Sequence, residues 1–299
     1  MPGVKIVRLA PGEGRIDVDW VVQDPDDRET YFEVHWKRRG ESWDSARAER
    51  VEPAKPSHRG SAITSTSTTI AGVENGIDYE LRVQRRKRDS GDIVAESATR
   101  LARPGHVPGV VVNYNHPDDY TYNSSGRSTA SPSIAELPDG RLVASHDIYW
   151  DHHGQNLSMI FRSDDRGKTW RFVCELHPCF WGKLFVHRGA LYMLSTSTEY
   201  GALIIRRSED GGETWSSPTK IIPAGSRERG GPHKAPVPVV EHRGRLWSAV
   251  EYGSWALGGH DAGVVSVPVD ADLLDPKAWA VTPFLKYDPS WPGTIEGGT

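Results

Sequence analysis

The stretch SHDIYWDHHGQN, Ser145 to Asn156, crowds two carboxylates (Asp147, Asp151) and three imidazoles (His146, His152, His153) around Tyr149 and Trp150. A simple turn between strands needs none of these groups. Carboxylates at this density can give and take protons at a bound substrate, and aromatic faces can hold its apolar side. The plain alternative is a pair of solvated loop carboxylates. Further candidates lie elsewhere: Arg127 in GRSTASPSI, Trp181 in PCFWGKLF, His233 and Lys234 in GPHKAPVP, and Glu251 in RLWSAVE. Arg127 or Lys234 suits an anionic substrate group. His233 suits a proton shuttle. Trp181 suits either stacking on a substrate ring or a packed wedge. His152 and His153 are adjacent and lack a spaced set of carboxylate or cysteine partners, so no metal and no cofactor are expected.

These residues sit at matching places in a repeat. Three glycines align: Gly140 in SPSIAELPDGRLVASHD, Gly189 in WGKLFVHRGALYMLSTS and Gly244 in APVPVVEHRGRLWSAVE. Each is followed two residues later by a leucine, and the spacings are 49 and 55 residues. Asp147, Thr196 and Glu251 each fall seven residues past their glycine. A period near fifty with several short strands per unit predicts propeller blades. Two octets, SDDRGKTW (Ser163–Trp170) and SEDGGETW (Ser208–Trp215), follow the third strand of consecutive repeats. Their aspartates and serines can bind the amides of their own turn, and glycine supplies a positive φ. In a four-stranded blade, turns alternate between two faces. The octets and glycine turns then share one face, while Asp147, Asp151, Glu251 and the segments leading into each first strand share the other.

The octets fit S-x-D-x-G-x-T-W, the Asp-box, and residues 105–299 therefore resemble the sialidase and BNR-repeat superfamily. The third repeat keeps only a degenerate copy near DPKAW. The resemblance implies a six-bladed β-propeller. About three blades and the start of a fourth are expected here, which implies a chain lacking its C-terminal blades. It further implies an exo-glycosidase acting on a terminal, possibly anionic, sugar, with a glycan as partner. In that family the corresponding loop of the first blade carries the acid/base aspartate, which points to Asp151 or Asp147, with Glu251 and His233 as further catalytic candidates. Arg127, Lys234, Trp181, His152 and His153 are the substrate-binding candidates. One departure stands out. The family's first blade begins with Arg-Ile-Pro; here Pro132 matches the proline and Ala130 occupies the arginine's place, so cleavage of sialic acid itself does not follow. A glycan-binding propeller without catalysis, or an adhesive protein, remains the alternative.

Residues 1–104 have a different character. Ile16, Val18 and Trp20 alternate with charged residues, as do Tyr79, Leu81 and Val83, and Asn75-Gly76 marks a turn before the second run. Trp20, Ile70-x-x-Val73 and Tyr79-x-x-x-Val83 together resemble a fibronectin type III β-sandwich, with Tyr79 where such sandwiches tie a loop back to the backbone. The basic run Arg85–Arg88 reads as a solvated strand end, and Arg103–Gly109 as a linker.

Bulk properties exclude several classes. A net charge of −4 across 299 residues offers no electrostatic case for nucleic acid or an anionic membrane. No apolar run is long enough to span a bilayer. MPGVKIVRLAPGEG shows no apolar leader. Only the domain types suggest a secreted or periplasmic setting. The two cysteines, Cys174 and Cys179, read as small buried thiols rather than a bridge.

Overall fold

The computed structural model describes residues 3–23, 29–54, 63–120, 126, 128–150, 154–288 and 290–293. It is all-β, and its contacts divide it into two compact units. Among the described residues no helix is long and apolar enough to cross a membrane.

The first unit holds β1 (Val4–Gly12), β2 (Arg15–Gln23), β3 (Thr30–Arg38), β4 (Arg47–Val51), β5 (Ile63–Ala71), β6 (Tyr79–Lys87), β7 (Ile93–Glu96) and β8 (Arg100–Ala102). One sheet runs β1-β2-β5; the other runs β4-β3-β6-β7, with β8 also on β6. Alternation places Ile16, Val18 and Trp20 of β2 against Phe32 and Val34 of β3 and Leu81 and Val83 of β6, all fully buried in one core. The Tyr79 hydroxyl accepts the Glu74 amide at 3.0 Å, the loop tie expected from its position. The basic run is paired rather than simply solvated. Arg85 binds Thr30, Arg86 meets Glu33 at 2.6 Å, and Arg88 pairs with Glu52.

The expected linker has no regular structure, yet the chain beyond it docks back on this unit. Arg8 Nε donates to the Val112 carbonyl at 2.6 Å, and Arg100 Nε meets Asp119 at 2.6 Å. Both arginines are buried, and a buried guanidinium must be satisfied by acceptors. Val112 and Asp119 supply acceptors beside Asp19 and the Ile6 carbonyl.

Three further sheets follow in sequence order. The first contains β9 (Ser128–Glu136), β10 (Leu142–Tyr149), β11 (Ser158–Ser163) and β12 (Arg171–Leu176), ordered β12-β11-β10-β9. The second contains β13 (Phe180–His187), β14 (Ala190–Thr196), β15 (Leu203–Ser208) and β16 (Thr219–Ile222), in that order. The third contains β17 (Gly231–His233), β18 (Val240–His242), β19 (Arg245–Ser254), β20 (Gly259–Pro268) and β21 (Ala280–Val281). Its order is β17-β19-β20-β21, and β18 also pairs with β19 because the first strand is broken in two. Within the second unit, Leu194, Leu203 and Ile205 of the second sheet share a core with Val250, Val265 and Val267 of the third.

The repeat glycines sit in tight turns. Arg188 and Gly189 have φ of 49° and 81°, and Arg243 and Gly244 have φ of 47° and 73°. Two consecutive positive φ values suit the right-handed twist of a hairpin. The octet turns behave alike. Asp165 accepts the Thr169 amide at 2.9 Å and its hydroxyl at 2.6 Å; Asp210 does the same for Thr214 at 2.9 and 2.6 Å. In the second sheet the Asp210 turn joins β15 to β16, at the opposite end of the strands from the start of β13. Cys174 and Cys179 are free thiols, and burial pushes them up to about 12 and about 11.

Candidate functional site

The end of the second unit opposite the Asp210 turn gathers five of the nine residues nominated from sequence: Asp147, Trp181, His233, Lys234 and Glu251. Arg127, Asp151, His152 and His153 lie outside the described residues.

Trp181 is the hub. It is the second residue of β13 and lies in the left-handed region, with φ of 53°, a conformation an L-residue holds only when its surroundings enforce it. Its N–H donates to Asp147 Oδ2 at 2.7 Å, and its carbonyl accepts from Lys234 Nζ at 2.9 Å. The other Asp147 oxygen accepts from the Ser158 hydroxyl, and Lys234 also donates to the Ala235 carbonyl at 2.8 Å. The two backbone polar groups of one residue are thus held by a carboxylate on one side and an ammonium on the other.

Both charged groups are buried, at 1% and 2% exposure, which changes what they can do. Burial raises Asp147 to about 6, against the opposing pull of the Ser158 and Trp181 hydrogen bonds and the Lys234 charge. Burial lowers Lys234 to about 7, although Asp147 favours its charged form. Asp147 does not line an open site as expected of an acid that touches substrate, because both its oxygens are occupied beneath the Trp181 backbone. Lys234 likewise does not face an anionic substrate; its ammonium points at two carbonyls. Thr196, at the matching repeat position, is fully buried and donates to the Phe180 carbonyl at 3.2 Å.

Glu251 is the exception among the three repeat-equivalent residues. His233 on β17 lies directly opposite it on β19, and His233 Nδ1 meets Glu251 Oε2 at 2.7 Å. The Glu251 side chain is 49% exposed. Its hydrogen bond to His233 holds it below the usual carboxylate range despite partial burial. The His233 ring packs edge-on to Trp181 at 4.1 Å and lies 6.2 Å from Trp255, which is 59% exposed.

Sequence reasoning missed His260, Trp255 and Ser158. On the β19–β20 ladder His260 stands opposite Gly253, two residues from Glu251 and so on the same face. The His260 and His233 ring centroids are 4.1 Å apart. Burial, then the neighbouring His233, lowers the His260 pKa. His233, Glu251 and His260 each turn a ligating atom to the others, all within 4.8 Å. No metal is expected from residue spacing along the chain, because this group is assembled across three strands. An open depression of about 410 Å³ borders His260, lined also by Arg229, Gly253, Asp261 and Tyr287.

No protein-family model matches the chain, and no curated protein matches it either. Solved structures do. A Penicillium chrysogenum alpha-L-arabinanase complexed with arabinobiose is 19% identical, with 55% of this chain and 51% of that one covered and a TM-score of 0.39. A Hadza microbial sialidase is 14% identical, with 96% and 66% covered and a TM-score of 0.40. A Fusarium graminearum GH93 alpha-L-arabinofuranosidase complexed with arabinobiose is 14% identical, with 53% and 49% covered and a TM-score of 0.36. The chain thus spans between about half and two thirds of the length of these glycosidases.

Proposed function

We propose that this chain belongs to a glycoside hydrolase. Its second unit would be the start of a sialidase-like six-bladed propeller, and its first a fibronectin III-like module. The sheet arrangement β1-β2-β5 against β4-β3-β6-β7, and the matched Asp165 and Asp210 turns, support those two assignments.

The observation that carries the activity is Glu251. It is a half-exposed carboxylate kept ionised by His233, beside the half-buried Trp181 and the exposed Trp255. Aromatic faces accept the apolar side of a sugar ring, and most glycoside hydrolases place two carboxylates about the glycosidic bond. Glu251, held in its charged form, suits the base or nucleophile. Asp151 is then the acid, on the resemblance to the sialidase family alone. Asp147 and Lys234 position Trp181 from below and do not touch the sugar.

Aryl α-L-arabinofuranosides and aryl α-sialosides, assayed side by side, test this reading and separate the two sugar classes. Turnover of either should fall by about 10²-fold or more in Glu251→Gln, with an unchanged melting temperature. An alternative, a glycan-binding protein without catalysis, rests on the same exposed Trp255. Glycan binding by the parent protein with no turnover of any substrate would favour it.

A further inference from the structure

Glu251, His233 and His260 come from three neighbouring strands. The register explains their meeting: His233 faces Glu251 across β17–β19, and His260 faces Gly253 across β19–β20. The β19 and β20 backbones approach closely beside His260: a Cβ at Gly253 would stand 2.3 Å from the Gly259 carbonyl oxygen. Two imidazole nitrogens and one carboxylate oxygen all lie within 4.8 Å of one another. The His260 Nε2 is screened from solvent and has no hydrogen-bond partner among the described residues. A buried nitrogen without a partner costs free energy, and a bound ligand would remove that cost.

We propose that His233, Glu251 and His260 form a binding site for one divalent transition-metal ion of the zinc type. Two imidazoles and a carboxylate are the donor set that such ions prefer over magnesium or calcium, which favour all-oxygen shells. Bonds of about 2.0–2.2 Å place neighbouring ligands of one ion somewhat closer than 4.8 Å, so small side-chain rotations close the site. The ion takes the place of the proton now shared between His233 Nδ1 and Glu251 Oε2. Three protein ligands leave a fourth position open to water or to a ligand hydroxyl. Metal binding also engages the carboxylate that hydrolysis would use, so zinc is expected to suppress any glycosidase turnover. The site itself does not depend on that activity.

The test is calorimetric titration of the chelator-treated protein with zinc chloride, with magnesium chloride as the control. Saturable binding of one zinc per chain is expected, with none of magnesium. His260→Ala should weaken zinc binding by at least about 100-fold, more than the loss of a residue behind a ligand. His260→Gln is the second variant, because it retains size and polarity should the alanine variant fold poorly. Cobalt substitution should give the visible absorption of a nitrogen-and-oxygen tetrahedral site in the parent and lose it in both variants. Unchanged zinc affinity in both His260 variants would overturn the proposal. So would loss of binding only when His152 and His153 are both replaced.

Discussion

Replacing Asp147 by asparagine should remove a specific pH dependence of stability. The folded carboxyl titrates at about 6 against an ordinary 3.8, because burial disfavours its charge. A raised folded pKa means that the native state holds its proton longer than the unfolded chain does. Stability from this group is therefore fully present below about pH 4 and is lost as pH rises through about 6. The gap between about 6 and the ordinary 3.8 corresponds to about 3 kcal/mol, at about 1.36 kcal/mol per tenfold change in proton affinity. Asparagine carries no such term and can still serve the site, its carbonyl accepting the Trp181 amide and its NH₂ donating to the Ser158 oxygen. Urea unfolding followed by tryptophan fluorescence, run from pH 3.5 to 8, reads the effect. The stability of the parent minus that of Asp147→Asn should fall by about 3 kcal/mol across this range, with most of the change between pH 4 and 6. Asp147→Ala should be less stable than the asparagine variant by about 1–3 kcal/mol at every pH, because the Trp181 amide is left without an acceptor. A pH-independent difference between parent and asparagine variant would refute the buried placement of the carboxyl. Equal stability of the alanine and asparagine variants would refute the clamp on Trp181.

Lys234 carries the opposite sign. Its folded pKa of about 7 lies below the ordinary 10.5, so its stability contribution is present above that value and lost as pH falls toward 7. Lys234→Met should flatten that loss, as measured by melting temperature between pH 7 and 10. Asp210→Ala removes the acceptor for the Thr214 amide and hydroxyl and should lower stability by about 0.5–2 kcal/mol, like the loss of a helix cap, with any turnover per folded molecule little changed. A selective loss of turnover at unchanged stability would contradict the placement of this turn at the far end of the sheet. Gly253→Ala forces a Cβ against the Gly259 carbonyl and should cost about 1–3 kcal/mol in denaturant unfolding.

Much of the fold was legible because it follows from neighbours in sequence. Ile16, Val18 and Trp20 alternate into a core, and alternation is a property of a strand itself. The Arg188-Gly189 and Arg243-Gly244 turns and the self-bonded Asp165 and Asp210 turns are closed within a few residues, so their sequences alone specify them. The repeat also nominated Asp147, Trp181, His233, Lys234 and Glu251 as residues at one end of the sheets. Their roles depended on groups far away along the chain. Asp147 is occupied by the amide of a residue 34 positions on, and Lys234 by the carbonyl of one 53 positions back. His260 joins Glu251 only through the β19–β20 register. Burial and the pairing of charges are sums over everything packed nearby, and sequence spacing carries no record of them. Strands and turns, and the polar character of one end of each sheet, follow from local sequence; that Asp147 and Lys234 are buried supports while Glu251 faces out follows from packing, because desolvation is set by what surrounds a group and not by its residue type.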